Sequence, residues 1–195
     1  MRLLLGTGNA DKIAEYRDLL AGLPLTLVLP GELDPVPADP PEDAPTYREN
    51  AVAKALAYAR ASGLPAVADD SGLEVEALHG ATGVRSRRYF GDVSSEERNA
   101  KLLALLDGAA GRAARFVCVI ALADPQGATA VFEGTVRGAI AAEPRGVHGF
   151  GYDPVFVVLD GPRTMAELSP AEKHRVSHRG RAAALLRAHL VSYHS

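Results

Sequence analysis

Apolar positions along this chain fall into short unbroken runs, separated by longer stretches in which they recur every third or fourth residue. That is the pattern of strands alternating with helices. Leu3-Leu4-Leu5 reads as a buried strand, "NADKIAEYRDLLAGL" as a helix closed by Gly22, and Leu25 to Leu29 as a second strand. Residues 30–45, "PGELDPVPADPPEDAP", hold six prolines and five acids and predict a long loop; such loops in compact domains are mostly functional or mobile. "TYRENAVAKALAYARASG" then predicts a helix, with Thr46 and Glu49 spaced as a capping box and Gly63 at its end. The run "AVADDSGLEV" follows as a strand, and "SSEERNAKLLALLDG" as a helix with Ser94 and Glu97 in the same capping spacing. "RFVCVIALA" and "ATAVFEGTVRG", joined by "DPQG", read as a β-hairpin. A glycine-rich stretch, "GVHGFGYDP", leads into the strand "VFVVL". The last predicted element is one helix over "SPAEKHRVSHRGRAAALLRAHL", opened by Ser169, Pro170 and Glu172. The expected class is α/β, with a sheet that includes antiparallel strands. No repeat or linker divides the chain, so residues 1–195 are expected to form a single domain of at most two closely packed lobes.

Composition narrows the partners. With 47% hydrophobic and 23% charged residues the chain is an ordinary globular one. A net charge of −3 carries no basic field of the kind that draws nucleic acid, so no nucleic-acid partner is expected. The single cysteine, Cys118, lies in an apolar run and is expected to pack as a small buried hydrophobe. The opening "MRLLLGTGNADK" has neither the length of a spanning helix nor the form of a secretion signal. The expectation is a cytoplasmic protein without membrane attachment.

Five stretches carry groups that a packed core does not need. In "LLLGTGNADK" a strand enters a glycine turn and then a helix, aiming backbone N–H groups and the positive helix end at the turn. Thr7 and Asn9 add short polar groups, and Lys12 sits where a cation opposes the helix dipole. The run is neither a Walker A motif nor a dinucleotide fingerprint. Asn9 capping the helix beside a solvated Lys12 is the simpler alternative. Asp69 and Asp70 stand side by side after an apolar run. Two adjacent carboxylates repel unless a cation or donors attend them. Paired acids at a strand end suit Mg²⁺, while the lone cysteine and scattered histidines do not suit zinc. In a straight strand their side chains would face opposite sides, so one could meet a ligand while the other holds the loop or meets a lysine or arginine; a solvated Asx turn is the alternative. The acidic loop offers Glu42 and Asp43 as further carboxylates, and Asn50 and Lys54 share one helix face, with a solvated helix lysine the default reading of Lys54. In "GVHGFGYDP", glycines allow close backbone approach and Phe150 offers a ring that could stack on a base or fold into the core. "EKHRVSHRGR" brings Lys173, His178 and Arg179, donors suited to carbonyl or phosphate oxygens; a solvated face of a terminal helix is the alternative. Together these are parts for holding a nucleoside triphosphate and a metal ion.

In this order the stretches "TGNADK", "ENAVAKA", "ADDSGLEVEAL", "GFGYDPVF" and "EKHRVSHRGRA" resemble the signatures of the inosine triphosphate pyrophosphatase family, from Leu3 to about Ala184. The resemblance implies a long mixed β-sheet with flanking helices, in two lobes around a central active-site cleft, usually as a homodimer. It also implies Mg²⁺-dependent hydrolysis of ITP, dITP and XTP to the monophosphate and pyrophosphate, cleansing the nucleotide pool. Carried over residue by residue, Thr7, Gly8, Asn9, Ala10, Asp11 and Lys12 would form the phosphate turn. Glu42 and Asp70 would bind Mg²⁺, with Asp70 and Lys12 catalytic, Asp70 as base or as ligand of the attacking water, Asp69 in support, and Ser71 and Lys54 contacting substrate. Phe150 would stack on the purine, Gly151, Tyr152 and Asp153 would complete the pocket, and Lys173, His178 and Arg179 would read the base. A pyrophosphatase for modified pyrimidine triphosphates and a non-catalytic nucleotide sensor are the competing readings. The sequence departs from the family pattern at Thr82, in place of the more usual proline, at Arg87, in place of a small residue, and at Ala44, often glycine.

Overall fold

The structure, a computed structural model, describes residues 1–79, 81–159 and 161–192. Its strands are β1 (Arg2–Leu5), β2 (Thr26–Val28), β3 (Ala66–Val75), β4 (Ala113–Ala123), β5 (Thr129–Ile140) and β6 (Phe156–Val158). Its helices are α1 (Ala10–Leu19), α2 (Tyr47–Ser62), α3 (Ser95–Leu105), α4 (Pro170–Val176) and α5 (His178–Ser192). The strands form one sheet in the order β2-β1-β3-β4-β5-β6. It is mixed, as expected: β1 pairs in parallel with β2 and β3, whereas β5 and β6 are antiparallel. Parallel neighbours need a crossover, which α1 and α2 supply. The chain steps from β1 to β2 on one side and returns to β3 on the other, so the strand order reverses between β1 and β3. Ligands of open α/β sheets bind at the carboxyl ends of strands at such a point.

The chain divides into two compact units, and three of the divisions fall inside strands: after Asp70 in β3, after Val117 in β4 and after Gly134 in β5. The first unit holds residues 1–70, 118–134 and the chain from Ala182 on. Its core gathers Leu3, Leu5, Tyr16, Val67, Ile120 and Leu186 around Cys118, which is fully buried as expected. Arg187 of α5 donates to the carbonyls of Leu19 and Ala21, both at 2.8 Å, capping the end of α1. The second unit holds residues 71–117 and 135–181. Its core is built from Leu73, Val75, Leu102, Ile140 and Met165, with Phe116 and Phe156 in ring contact at 4.5 Å. Among the described residues no helix is long and apolar enough to cross a membrane.

Three local expectations need correction. The terminal helix is two helices, because Ser177 is extended (φ −69°, ψ 158°) and its hydroxyl accepts the Gly180 N–H at 3.0 Å, so that it starts α5 as it closes α4. Of the expected capping boxes, only that of Ser169 and Glu172 closes in both directions. Thr46 and Ser94 each accept the expected backbone N–H, but Glu49 accepts from the Thr46 hydroxyl and Glu97 turns to Lys101. Finally, the loop after β2 begins with a 3-10 turn at Pro30–Glu32. The departure at Thr82 has a local reason: its buried hydroxyl accepts the Val75 N–H at 3.4 Å, while the Ser86 hydroxyl accepts that of Leu73 at 3.1 Å.

Candidate functional site

In the first unit, β1 ends in the turn Gly6-Thr7-Gly8-Asn9, held against β3 by the Gly6 N–H on the Val67 carbonyl at 2.7 Å. Gly6 cannot be larger, since a Cβ there would lie 2.5 Å from the Tyr58 ring. Asn9 caps α1, its Oδ1 accepting from the amides of Asp11 and Lys12, and Thr7 Oγ1 accepts from Asn9 N. Among the described residues this leaves the Gly8 and Ala10 amides without a protein acceptor, at a helix end that favours anions. The capping role proposed as an alternative for Asn9 is therefore real, yet Lys12 is not merely solvated. Its Nζ lies 2.9 Å from Asp69 Oδ1, which accounts for a cation placed against the helix dipole.

Asp69 and Asp70 are both buried, and strand geometry turns their side chains to opposite faces of β3. Asp69 takes Lys12 and lies 3.7 Å from Cys118 Sγ. Asp70 Oδ2 accepts from Asn50 Nδ2 at 2.8 Å. The neighbouring Lys54 is buried too, donating to the Asp69 carbonyl at 3.1 Å and to Glu42 Oε1. Burial opposes its charge, but Asp69, Glu42 and Asp70 outweigh that and hold the ammonium above its ordinary range. Asp70 is moved the other way: burial pushes its carboxyl up to about 6 and Glu42 adds to the rise, against the Asn50 hydrogen bond and the charges of Lys12 and Lys54. A carboxyl so placed is poised to accept a proton near neutrality.

Among the described residues no three His, Cys, Asp or Glu side chains form a ready cage for a metal ion. Glu42 and Asp70 nonetheless feel one another's charge and offer hard oxygen donors. Two carboxylates fit an ion that keeps several waters and takes its other ligands from substrate phosphates.

The second unit gathers the remaining residues. Gly149 (φ +74°) and Gly151 (φ +64°) turn the chain so that the Phe150 N–H and Lys173 Nζ both donate to Asp153 Oδ2, at 2.8 and 2.5 Å. The Phe150 ring is half-buried rather than plugged into the core, with Lys173 Nζ 4.8 Å and the Arg179 guanidinium 5.6 Å from its centre. Arg179, almost wholly buried, donates to Ser71 Oγ at 2.9 Å, and His178 stacks parallel on Phe116 at 4.6 Å. Tyr152 points away from this group. Its hydroxyl donates to the Ser86 carbonyl at 2.6 Å, and burial pushes its pKa up to about 12, so it stays a donor. The result is a hydrogen-bonded glycine loop that presents one aromatic ring beside buried cationic donors, an arrangement suited to a flat heterocycle bearing carbonyl oxygens.

Three residues in these networks were missed in the sequence. Asn50, read only as sharing a face with Lys54, is the hydrogen-bond partner of Asp70. Asn99 of α3 holds the Gly151 carbonyl at 3.0 Å, and Tyr58 donates to Asp39 at 2.8 Å. Asn50, Lys54 and Tyr58 recur every four residues on α2, a buried polar stripe visible in the spacing; Asn99 has no such signal.

Comparison with known proteins places the whole chain in a family. The family model described as "Ham1 family" matches residues 3–189. The chain is 48% identical over 194 residues to a dITP/XTP pyrophosphatase of Geobacter sulfurreducens, covering 97% of this chain and 96% of that protein. It is 47% identical to one of Thermus thermophilus, covering 99% and 92%. The structure of a HAM1 protein from Coxiella burnetii matches with a TM-score of 0.90 and 42% identity, over 98% of this chain and 99% of that one. A Ham1 protein of Staphylococcus aureus matches at 0.87 and 40%, over 99% and 100%. A match that runs almost from end to end, in sequence and in fold, makes this chain a member of the Ham1 family.

Proposed function

We propose that this chain is a nucleoside-triphosphate pyrophosphohydrolase that acts on the non-standard purine nucleotides ITP, dITP and XTP, releasing the nucleoside monophosphate and pyrophosphate. The observation that carries the reading is the Asp70 carboxyl, buried beside Glu42, Lys12 and Lys54 in a chain nearly half identical to dITP/XTP pyrophosphatases over its whole length. Residues 1–195 work as one domain, the first unit serving the triphosphate and the second the base.

The triphosphate is held by Lys12, Lys54 and the turn amides of Gly8 and Ala10, where charge developing on phosphorus and on the departing pyrophosphate is stabilised. Asp70 receives a proton from the attacking water, which adds to the α-phosphorus as the α–β bridging bond breaks. Asp69 keeps the Lys12 ammonium in place through its 2.9 Å ion pair. Glu42 and Asp70 would hold Mg²⁺, which supplies charge neutralisation and an acidified water when bound. Phe150 stacks on the purine, and Lys173, His178 and Arg179 donate to its 6-keto oxygen and neighbouring atoms. ATP is refused because its 6-amino group leaves those buried donors unpaired. GTP shares the keto group and must be told apart at its 2-amino substituent. The same reading makes the enzyme a cytoplasmic homodimer without a nucleic-acid or membrane partner, its dimeric state open to light scattering.

Product analysis tests the reaction: ITP, XTP, GTP, ATP and a pyrimidine triphosphate, each with Mg²⁺, beside Asp70→Asn. Monophosphate and pyrophosphate from ITP and XTP are expected, and a loss of at least about 10²–10³-fold in kcat for the variant. Orthophosphate with diphosphate would place cleavage at the wrong bond. Binding of ITP without turnover would make the chain a sensor.

A further inference from the structure

The acidic loop that carries Glu42 has almost no structure of its own. Among the described residues, no backbone–backbone hydrogen bond involves residues 34–45. What fastens this segment is one face of α2. Asn50 exchanges two bonds with Ala44, accepting its N–H at 2.9 Å and donating to its carbonyl at 3.4 Å. Lys54 pairs with Glu42, and Tyr58 donates its hydroxyl to Asp39 Oδ1 at 2.8 Å. The three helix residues are 1%, 4% and 2% exposed, and their spacing of four sets them one above another. Asn50 and Lys54 belong to the machinery already described, since both also touch β3. Tyr58 reaches neither aspartate of β3 in these bonds. Its ring lies against Gly6, at the head of the phosphate turn, so the hydroxyl is aimed from a fixed base.

We propose that Tyr58 is a positioning residue for Glu42: by holding Asp39, it keeps the acidic loop down on α2 so that the Glu42 carboxylate stays within reach of Asp70. Resting on the function proposed above, this assigns a metal-binding role to a side chain that touches neither metal nor substrate. Without the Tyr58 hydroxyl, residues 34–41 have no other hydrogen bond to the rest of the described residues. The loop then hangs from Glu42 and Ala44 alone. Burial and the Asp39 charge both keep the phenol protonated, so the clamp is present at any pH at which the enzyme would work.

The test uses Tyr58→Phe, which keeps the ring against Gly6 and removes only the hydroxyl, and Asp39→Asn, which keeps an acceptor for it. Hydrogen exchange of the loop peptide is expected to quicken in Tyr58→Phe and to stay near wild type in Asp39→Asn. Mn²⁺ affinity, read by electron paramagnetic resonance in the absence of nucleotide, is expected to fall about five- to tenfold in Tyr58→Phe, part of the worth of one hydrogen bond to a charged group, since the loop keeps its other two ties. Half-saturating Mg²⁺ for ITP hydrolysis should rise by a like factor, with kcat at saturating Mg²⁺ within about twofold. A residue that served stability alone would lower the melting temperature and leave Mn²⁺ affinity unmoved, and that result overturns the proposal. So does unchanged loop exchange in Tyr58→Phe. A wild-type protein that does not hydrolyse ITP overturns the function instead, while loop exchange still judges the clamp.

Discussion

Asp70 is expensive to ionise, and its position makes that cost measurable. Its folded carboxyl titrates at about 6 against an ordinary 3.8, so the folded state binds the proton more tightly than the unfolded one. Below the lower value both states are protonated and nothing is lost. Between the two, stability falls as pH rises, by about 1–3 kcal/mol in all, and stays reduced above the upper value. Asp70→Asn removes this charge and keeps an acceptor for Asn50. In chelator-treated protein the variant is therefore expected to be more stable than wild type by about that amount at pH 7.5, and equal to it near pH 4. Urea unfolding at the two pH values reads the difference. The two adjacent aspartates announced a charged site in the sequence, and Lys12 announced itself by standing where helix electrostatics disfavour it. That Asp69 would take the lysine and Asp70 the asparagine could not be read, because it depends on which face of β3 meets which helix.

At the scale of elements, strand and helix order was legible throughout, since runs and periodicities were long enough to be unambiguous. The break at Ser177 was not. Apolar spacing continues on both sides of it, and only Ser177 followed by Gly180 hinted at a helix start. The break matters because it sets His178 and Arg179 in the first turn of α5. Gly180 lets the two helices meet: a Cβ there would collide with the His174 carbonyl oxygen, a backbone atom that cannot swing aside. Gly180→Ala is expected to cost about 2–4 kcal/mol, the range of backbone clashes and overpacking in a core, visible as a lowered urea midpoint. Ser177→Ala, losing only the cap, should cost about 1 kcal/mol.

For the whole molecule, the division of the chain makes a kinetic prediction. Residues proposed for the triphosphate lie in one unit and those proposed for the base in the other, with Asp70 and Ser71 as the last and first residues on either side. Substitutions should therefore separate by type of effect. Phe150→Leu removes a stacking face worth about 1–3 kcal/mol and is expected to raise KM for ITP and XTP together, with kcat little changed. Lys12→Met, which removes charge stabilisation at the reacting phosphates, is expected to lower kcat and leave the preference for ITP over ATP as it was. Steady-state kinetics on both nucleotides, with pyrophosphate release followed by a coupled assay, distinguishes the two patterns. Loss of base preference in Lys12→Met would show that the two tasks are not divided in this way.

The stitching of the acidic loop to α2 also bears on how this chain can change length. Surface loops generally accept insertions and deletions cheaply, because closure entropy grows slowly with size. Here the fastened stretch runs from Asp39 to Ala44 while the helix residues opposite it run from Tyr58 back to Asn50. Eight helical residues rise about 12 Å, and five extended residues reach at most about 18 Å, so the stitches leave modest slack. Between Asp39 and Glu42, three residues reach at most about 11 Å against about 6 Å of helix, so two residues lost there would part Asp39 or Glu42 from its partner. Between Leu33 and Ala38 the same change would leave all three stitches in step. Length variation among working versions of this loop should therefore concentrate ahead of Asp39, making its first half free to drift and its second half as constrained as a strand.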